Sequence, residues 1–399
     1  MIFIEIFLAI VSGILIGIIT GICPGIHVNL VAATLVAASP ILLTFLEPIS
    51  LAVFIISLAV THSFLDTIPS IFLGAPENEN ALSVLPGQRM LLQGDGYQAV
   101  KITISGTYFG MLFAVCLIPL FILIANRLYP LLKPVLVYLL VLVVAYMILK
   151  DKEKFWSFLL FMLSGTLGII VFSMPIREPF FPLLSGLFGV SGLALSYFEN
   201  TKIPEQNFES GINIEKKDII KAIAGSSIGV FIIQFFPGLG PAQGAVVASQ
   251  CIKDMKDKTY LALVGAMGTM SVVFSLVTFY TLGKAKDGSI VAISKLAEID
   301  FYGFLLLVCA MVIAGSVSVF LVLFFAKIFS KIVSRVNYRL LVISVIGFVF
   351  FMCLILNGFV GLLILITSAT IGLIAPLKGI ARSHAMGCLI LPVILYLLL

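Results

Sequence analysis

Apolar residues run along this chain in long unbroken blocks, without the two-residue alternation of a half-buried strand. In the first half the blocks cover 1–20, 28–45, 51–60, 111–125, 134–149 and 158–173. In the second they cover 222–236, 261–282, 301–326, 340–356, 358–374 and 388–399. A helix needs about 20 mainly apolar residues to cross a bilayer. Several blocks are shorter, so the pattern predicts roughly 10 to 12 true spans and at least two partial ones. A β-barrel is excluded, because its strands alternate. The expected fold is all-α, a polytopic integral membrane protein with broken or re-entrant helices.

Two blocks end in the same way. GICPGIHVNLVAA carries Pro24 and Gly25, and FFPGLGPAQGAVVA carries Pro237 and Gly238, 213 residues further on. Proline removes a backbone donor and glycine permits non-helical torsions, so each helix must break there. Inside a membrane, freed backbone groups are tolerated only where they line a protected cavity. A second pair follows in the same order: FLGAPENEN at Gly74 and TLGKAKDG at Gly283, 209 apart. Gly13, Gly17 and Gly21 precede the first break, and Gly225 and Gly229 precede the second, at a spacing that lets helices pack closely in lipid. These matches predict two structural repeats, inverted if an odd number of spans separates equivalent helices. The long polar stretch Glu199–Asp218 divides them, giving a first repeat over 1–198, a linker over 199–218 and a second repeat over 219–399.

Composition agrees with a membrane protein. The chain is 61% hydrophobic and 11% charged, against about 25% charged in soluble domains. The first block lacks a basic n-region and carries Glu5, so it reads as a helix of the mature protein rather than a signal peptide. Six scattered cysteines, with no CxxC, support neither a metal site nor a disulfide framework. No cofactor and no nucleic-acid partner is implied. The basic clusters at 149–154, 214–218 and 253–258, and the acid-free set Lys327, Lys331, Arg335 and Arg339, favour the cytoplasmic side of a cell membrane.

The chemistry concentrates at the breaks. A helix start offers free N–H groups and a positive dipole end, a natural seat for an anion. The substrate-binding candidates are Pro24, Gly25, His27 and Asn29 at the first break, and Pro237, Gly238, Gly240 and Gln243 at the second. Asn29 and Gln243 either bind substrate or cap the broken helix. Candidates for coupling Na⁺ or H⁺ are Asp66, at helical spacing from His62, and the oxygen-rich run Glu77, Asn78, Glu79 and Asn80. A helix cap and a solvated loop are the respective alternatives. Arg89 and Lys101, flanking Asp95, meet a carboxylate or anchor their loop. Lys378, Arg382 and His384 read as anchors at headgroup level. No catalytic set appears, and His27, His62 and His384 lie far apart in sequence.

The Pro24–Gly25 element, the run Gly74–Tyr97, the second Pro-Gly element and the stretch Arg382–Pro392 together resemble the large permease subunit of tripartite tricarboxylate transporters, in particular archaeal-type members. The resemblance covers nearly the whole chain. It implies a membrane carrier for carboxylates driven by ion gradients, and the two Pro-Gly breaks predict a secondary transporter that works by alternating access around a midplane site between them. It also implies a small membrane subunit and an extracytoplasmic binding protein as partners; a stand-alone carrier and a homo-oligomer stay open. The rival readings are a polyprenyl-phosphate flippase, since phosphate suits a helix start equally well, and an intramembrane enzyme.

Overall fold

Each apolar block becomes a helix, and the Gly-, Pro- and charge-rich segments become the joints. The structure, a computed structural model, describes residues 2–23, 28–74, 84–132, 135–198, 204–208, 211–212, 214–234, 240–252, 255–334 and 338–398. In the first half the helices are α1 (Ile2–Ile22), α2 (Val28–Leu42), α3 (Pro48–Leu65), α4 (Thr67–Phe72), α5 (Val84–Leu92), α6 (Gly96–Leu132), α7 (Leu136–Lys150), α8 (Lys154–Ser173), α9 (Phe180–Leu184) and α10 (Ser191–Phe198). The second half has α11 (Lys216–Gln234), α12 (Pro241–Cys251), α13 (Asp257–Leu282), α14 (Gly288–Leu296), α15 (Phe301–Val333), α16 (Tyr338–Gly372), α17 (Ile374–Lys378) and α18 (Gly387–Leu398). Among the described residues, seven helices are long and apolar enough to cross a membrane. The outward faces are apolar: Phe3, Phe320 and Phe359 are at least three-quarters exposed, as lipid-facing residues should be.

α1 and α3 lie side by side and point the same way. A Cβ at Gly13 would stand 2.6 Å from the Phe54 carbonyl, one at Gly17 2.7 Å from Thr61 Cβ, and one at Gly21 2.8 Å from Leu65 Cβ. Parallel neighbours require the chain between them to return, and α2 makes that return. It begins beside the middle of α3, where Val28 packs with Leu58 and Ala59.

The second half repeats the device. α11 runs parallel to α13, with Ser226 Oγ donating to the Leu263 carbonyl at 2.9 Å and Gln234 Nε2 to Thr278 Oγ1 at 2.8 Å. α12 returns antiparallel along α11, Gly244 and Ala248 against Gly229 and Ile252 against Gly225. Both halves therefore contain a reversing helix pair, here called a hairpin, α1–α2 and α11–α12; α12 packs along α11, whereas α2 lies chiefly against α14. Each hairpin packs on a long helix, and both long helices are interior: 78% and 100% of their apolar windows are buried.

The hairpins point in opposite directions. α15 runs parallel to α3, with Gly303 beside Ile49, Ser318 Oγ 3.1 Å from Thr61 Oγ1, and Phe329 against Phe72. α6 runs parallel to α13, with Gly110 on Ala266 and the Thr269 hydroxyl donating to the Thr107 carbonyl at 2.8 Å. α6 and α15 cross antiparallel, through Tyr108–Ser316 and Met111–Gly315. α3 and α13 are thus antiparallel to each other.

The remaining helices form a second group. α16 doubles back at Gly358, whose φ of 62° and ψ of −158° end the first limb. Arg339 at its start lies over the Tyr197 ring, Asn357 exchanges two 3.0 Å hydrogen bonds with the Glu178 backbone, and Gly372 returns beside Leu187 and Ser191. The returning limb packs on the π-helical turn Ser185–Val190 as α8 packs on α18. The principal contacts of α7–α10 and α16–α18 stay within that group, and those of α1–α6 and α11–α15 stay within the hairpin group. Each group draws on both halves of the chain.

Charge separates along the helix axes. Arg89 pairs with Asp257, Lys256 with Asp218, and Asp151 with His384, which gathers the basic loops at one end. Among the described lysines and arginines, only Arg127, Arg177, Lys284, Lys286 and Lys295 lie toward the other end.

Glycine packing yields a paired test. A Cβ at Gly106 would collide with the backbone of Ala262, whereas one at Gly347 would meet nothing within 4 Å. Overpacking costs about 1–3 kcal/mol, so Gly106→Ala should lower the detergent melting temperature by several degrees. Gly347→Ala, exchanging the poorest helix former after proline for the best, should hold or raise it. Equal melting temperatures for the two variants would refute this packing.

Candidate functional site

The two hairpins are fastened alike at the ends of α1 and α11. At the end of α1, Thr20 Oγ1 lies 3.1 Å from His62 Nδ1 on α3, and both residues are buried. At the end of α11, Gln234 bonds to Thr278 on α13. Each hairpin is therefore fastened to its long helix by one buried polar pair just before the break. The tips themselves, Pro24, Gly25 and His27 in one and Pro237 and Gly238 in the other, lie outside the described residues, as does the run Glu77–Asn80. Asn29 falls in the first turn of α2.

At the second tip the start of α12 is visible. Gly240 is its N-cap, and the N–H of Gly240 donates to Gln243 Oε1 at 2.9 Å. Gln243 thus caps its own helix, and its side-chain nitrogen has no partner among the described residues. Gln234 Oε1 is buried and also has no hydrogen-bond partner among the described residues. Ser275 Oγ accepts from the backbone N–H of Asp287 at 2.9 Å, and Lys286 Nζ donates to the Ile233 carbonyl in the last turn of α11. Gln234, Ser275, Thr278 and Lys286 thus crowd the second tip, although sequence reasoning named none of them. The only available signal was that polar residues interrupt α13 about four apart near its end.

Asp66 is buried at the junction of α3 and α4, its N–H bonded to the His62 carbonyl. Gly21 packs against both residues, so α1 ends directly on this pair. The structure therefore brings together Thr20, His62 and Asp66. The glycines matched from sequence are also alike in shape: Gly74 has φ 64° and Gly283 φ 65°, left-handed torsions that end α4 and α13.

The C-terminal stretch departs from its expected place. His384 is 2% exposed and Nε2 lies 3.0 Å from Asp151 Oδ2, so it sits inside the protein rather than among headgroups. The same carboxylate oxygen accepts from Ala381 N–H at 3.0 Å, and Oδ1 accepts from Lys152 N–H at 2.7 Å. Burial opposes ionisation of Asp151, but the hydrogen bonds from Ala381, His384 and Lys152 outweigh it and hold its carboxyl below the usual range. Burial lowers the His384 pKa despite Asp151 beside it. An ionised carboxylate can only accept, so His384 Nε2 is the donor to Asp151. Arg382 is half-buried as well, and Nη1 donates to the Phe188 carbonyl at 3.3 Å. Burial, then the nearby Arg89 charge, lowers its pKa to about 10, which leaves it a cation. Lys378 keeps an exposed position, over the Trp156 ring. His62 and His384 belong to different helix groups, and among the described residues no cluster of metal-ligating side chains forms.

Opposed hairpins on buried long helices, framed by further apolar helices, define a multi-pass membrane protein. Residues 7–387 match the tripartite tricarboxylate transporter TctA family, and the chain belongs to it. Membership makes it a membrane component of a transport system. An uncharacterized protein of Methanocaldococcus jannaschii is 29% identical over 359 residues, covering 86% of this chain and 88% of that protein. No solved structure matches the chain.

Burial of His384 and the hydrogen bonds held by Asp151 both make stability fall in acid. The folded His384 pKa lies below its ordinary 6.5, so the unfolded chain takes up the proton first and stability drops as pH falls below 6.5. Asp151 adds a further loss below its ordinary 3.8. Asp151→Asn should cost about 1.5–3 kcal/mol at pH 7, read as a lower melting temperature. It should also change the slope of melting temperature between pH 7 and 5; an unchanged slope would exclude this role.

Proposed function

We propose that the chain is a secondary active transporter for a carboxylate-type organic anion, coupled to Na⁺ or H⁺. The observation that carries this reading is the pair of opposed hairpins, whose second helices α2 and α12 start beside the middles of α3 and α13. Gly244, one turn into α12, lies under Met267 as Val28 lies beside Leu58. Two helix starts at mid-depth, pointing in opposite senses, offer backbone donors to a multiply charged anion without needing arginine. Asn29 and Gln243 add directional hydrogen bonds, and Pro24, Gly25, His27, Pro237, Gly238 and Gly240 shape the two seats. Asp66, beside the first tip, is the coupling candidate nearest to it, with Glu77–Asn80 in the following segment.

On this reading the halves 1–198 and 219–399 are inverted repeats joined by the linker 199–218. Alternating access follows from movement of the hairpin group against the frame of α7–α10 and α16–α18, whose principal contacts are separate. The basic end faces the cytoplasm of a cell membrane, by the excess of Lys and Arg there. The family's usual partners, a small membrane subunit and an extracytoplasmic binding protein, fit an anion carrier of this kind.

Reconstituted protein should take up citrate or succinate under an imposed Na⁺ or pH gradient. Hydrogen bonds to a charged ligand are worth about 1.5–3 kcal/mol, so Asn29→Ala or Gln243→Ala should lower uptake at least about tenfold. Uptake unaffected by these changes and by Pro24→Ala would remove the site assignment. Failure with every carboxylate, alongside transfer of polyprenyl phosphate, would instead favour the flippase.

A further inference from the structure

The two helix groups meet at the basic end around a cavity of about 280 Å³. Arg89, Asp257 and Tyr260 reach it from the hairpin group, and Arg382 and Ser383 reach it from the frame. Arg89 is partly neutralised by Asp257 at 3.3 Å, an exposed pair. Arg382 is not: its polar partner among the described residues is the Phe188 carbonyl, which carries no full charge. The hydroxyls of Tyr260 and Ser383 also have no partner among the described residues. A half-buried guanidinium beside a second arginine favours a negatively charged occupant. A guanidinium fork and two free hydroxyls suit a planar or tetrahedral oxyanion.

We propose that this junction is an oxyanion-binding site, filled by a carboxylate or phosphate group held between Arg382 and Arg89. The approach to it is basic as well. A neighbouring cavity of about 430 Å³ shares Ala381 and Ser383 and is lined by Lys150 and Lys152, while the one acid lining it, Asp151, is already bonded to His384. Such a funnel concentrates anions at its mouth. The occupant touches both helix groups at once, so its binding ties them together. The site stands at the basic end, apart from the hairpin tips, and does not depend on what those tips bind.

Calorimetric titration of the purified full chain in detergent, with citrate and separately with inorganic phosphate at pH 7, tests it. Arg382→Gln should weaken one class of binding at least about tenfold, the loss expected for a charge-assisted hydrogen bond. Arg382→Lys should weaken it less, and Asp257→Asn, which releases Arg89, should strengthen it. Asn29→Ala with Gln243→Ala should leave this class in place, separating it from any binding at the tips. A melting curve for each variant checks folding. Native mass spectrometry provides the lipid arm. If neither salt binds but Arg382→Gln loses a co-purifying phosphatidylglycerol, the occupant is a lipid headgroup phosphate. If Arg382→Gln, Arg382→Lys and Asp257→Asn all match the parent in both measurements, the site does not exist.

Discussion

Backbone-to-backbone approach through small residues is the constraint on which everything else rests. Lipid chains are as apolar as leucine, so burying apolar surface does not by itself bring membrane helices together. Close packing must do it. Along α6 and α13, Gly106, Gly110 and Gly265 let two parallel helices touch at the main chain, with Thr103 and Thr107 filling the seam. Along α1 and α3, Gly13, Gly17 and Gly21 do the same. Parallel neighbours cannot be joined by a short loop, so the return helices α2 and α12 follow directly from this choice. The hairpins are a consequence of the packing rather than an addition to it.

A hairpin tip in a membrane must satisfy its own polar groups. The visible solutions are local: Thr20 with His62, Gln234 with Thr278, Gly240 with Gln243, Lys286 with Ile233. What these leave over is informative. The Gln243 side-chain nitrogen and Gln234 Oε1 lack partners among the described residues, and both stand at the second tip. Spare hydrogen-bonding capacity beside a helix start is what a polar solute would use.

The parts legible in the sequence were those written locally. Apolar blocks gave helices, and the gap between the blocks at 340–356 and 358–374 marks the reversal at Gly358. Gly74 and Gly283, matched by order alone, share a left-handed torsion because each terminates a helix. The pairs that bring distant segments together were not legible. Asp151 and His384 are 233 residues apart, and Arg89 and Asp257 are 168 apart. Nothing in their neighbourhoods marks them as partners, so His384 looked like a surface anchor until α7, α8 and the C-terminal stretch were placed together. The sorting of helices into two groups was hidden for the same reason, since each group alternates along the chain.

That alternation has a consequence for how the protein is made. The frame begins with α7, near residue 136, but α8 lacks its packing partner until α18 arrives with Cys388 against Gly168. The hairpin group likewise waits for α13 before Gly106 and Gly110 on α6 are covered. During synthesis the exposed glycine faces of α6 and α8 must sit in lipid with nothing to fill them. Neither group can be completed from the N-terminal half alone, so a chain stopped at the polar linker is left with two unfinished surfaces. Quality control in the membrane then has a simple thing to recognise: a helix whose notches remain empty.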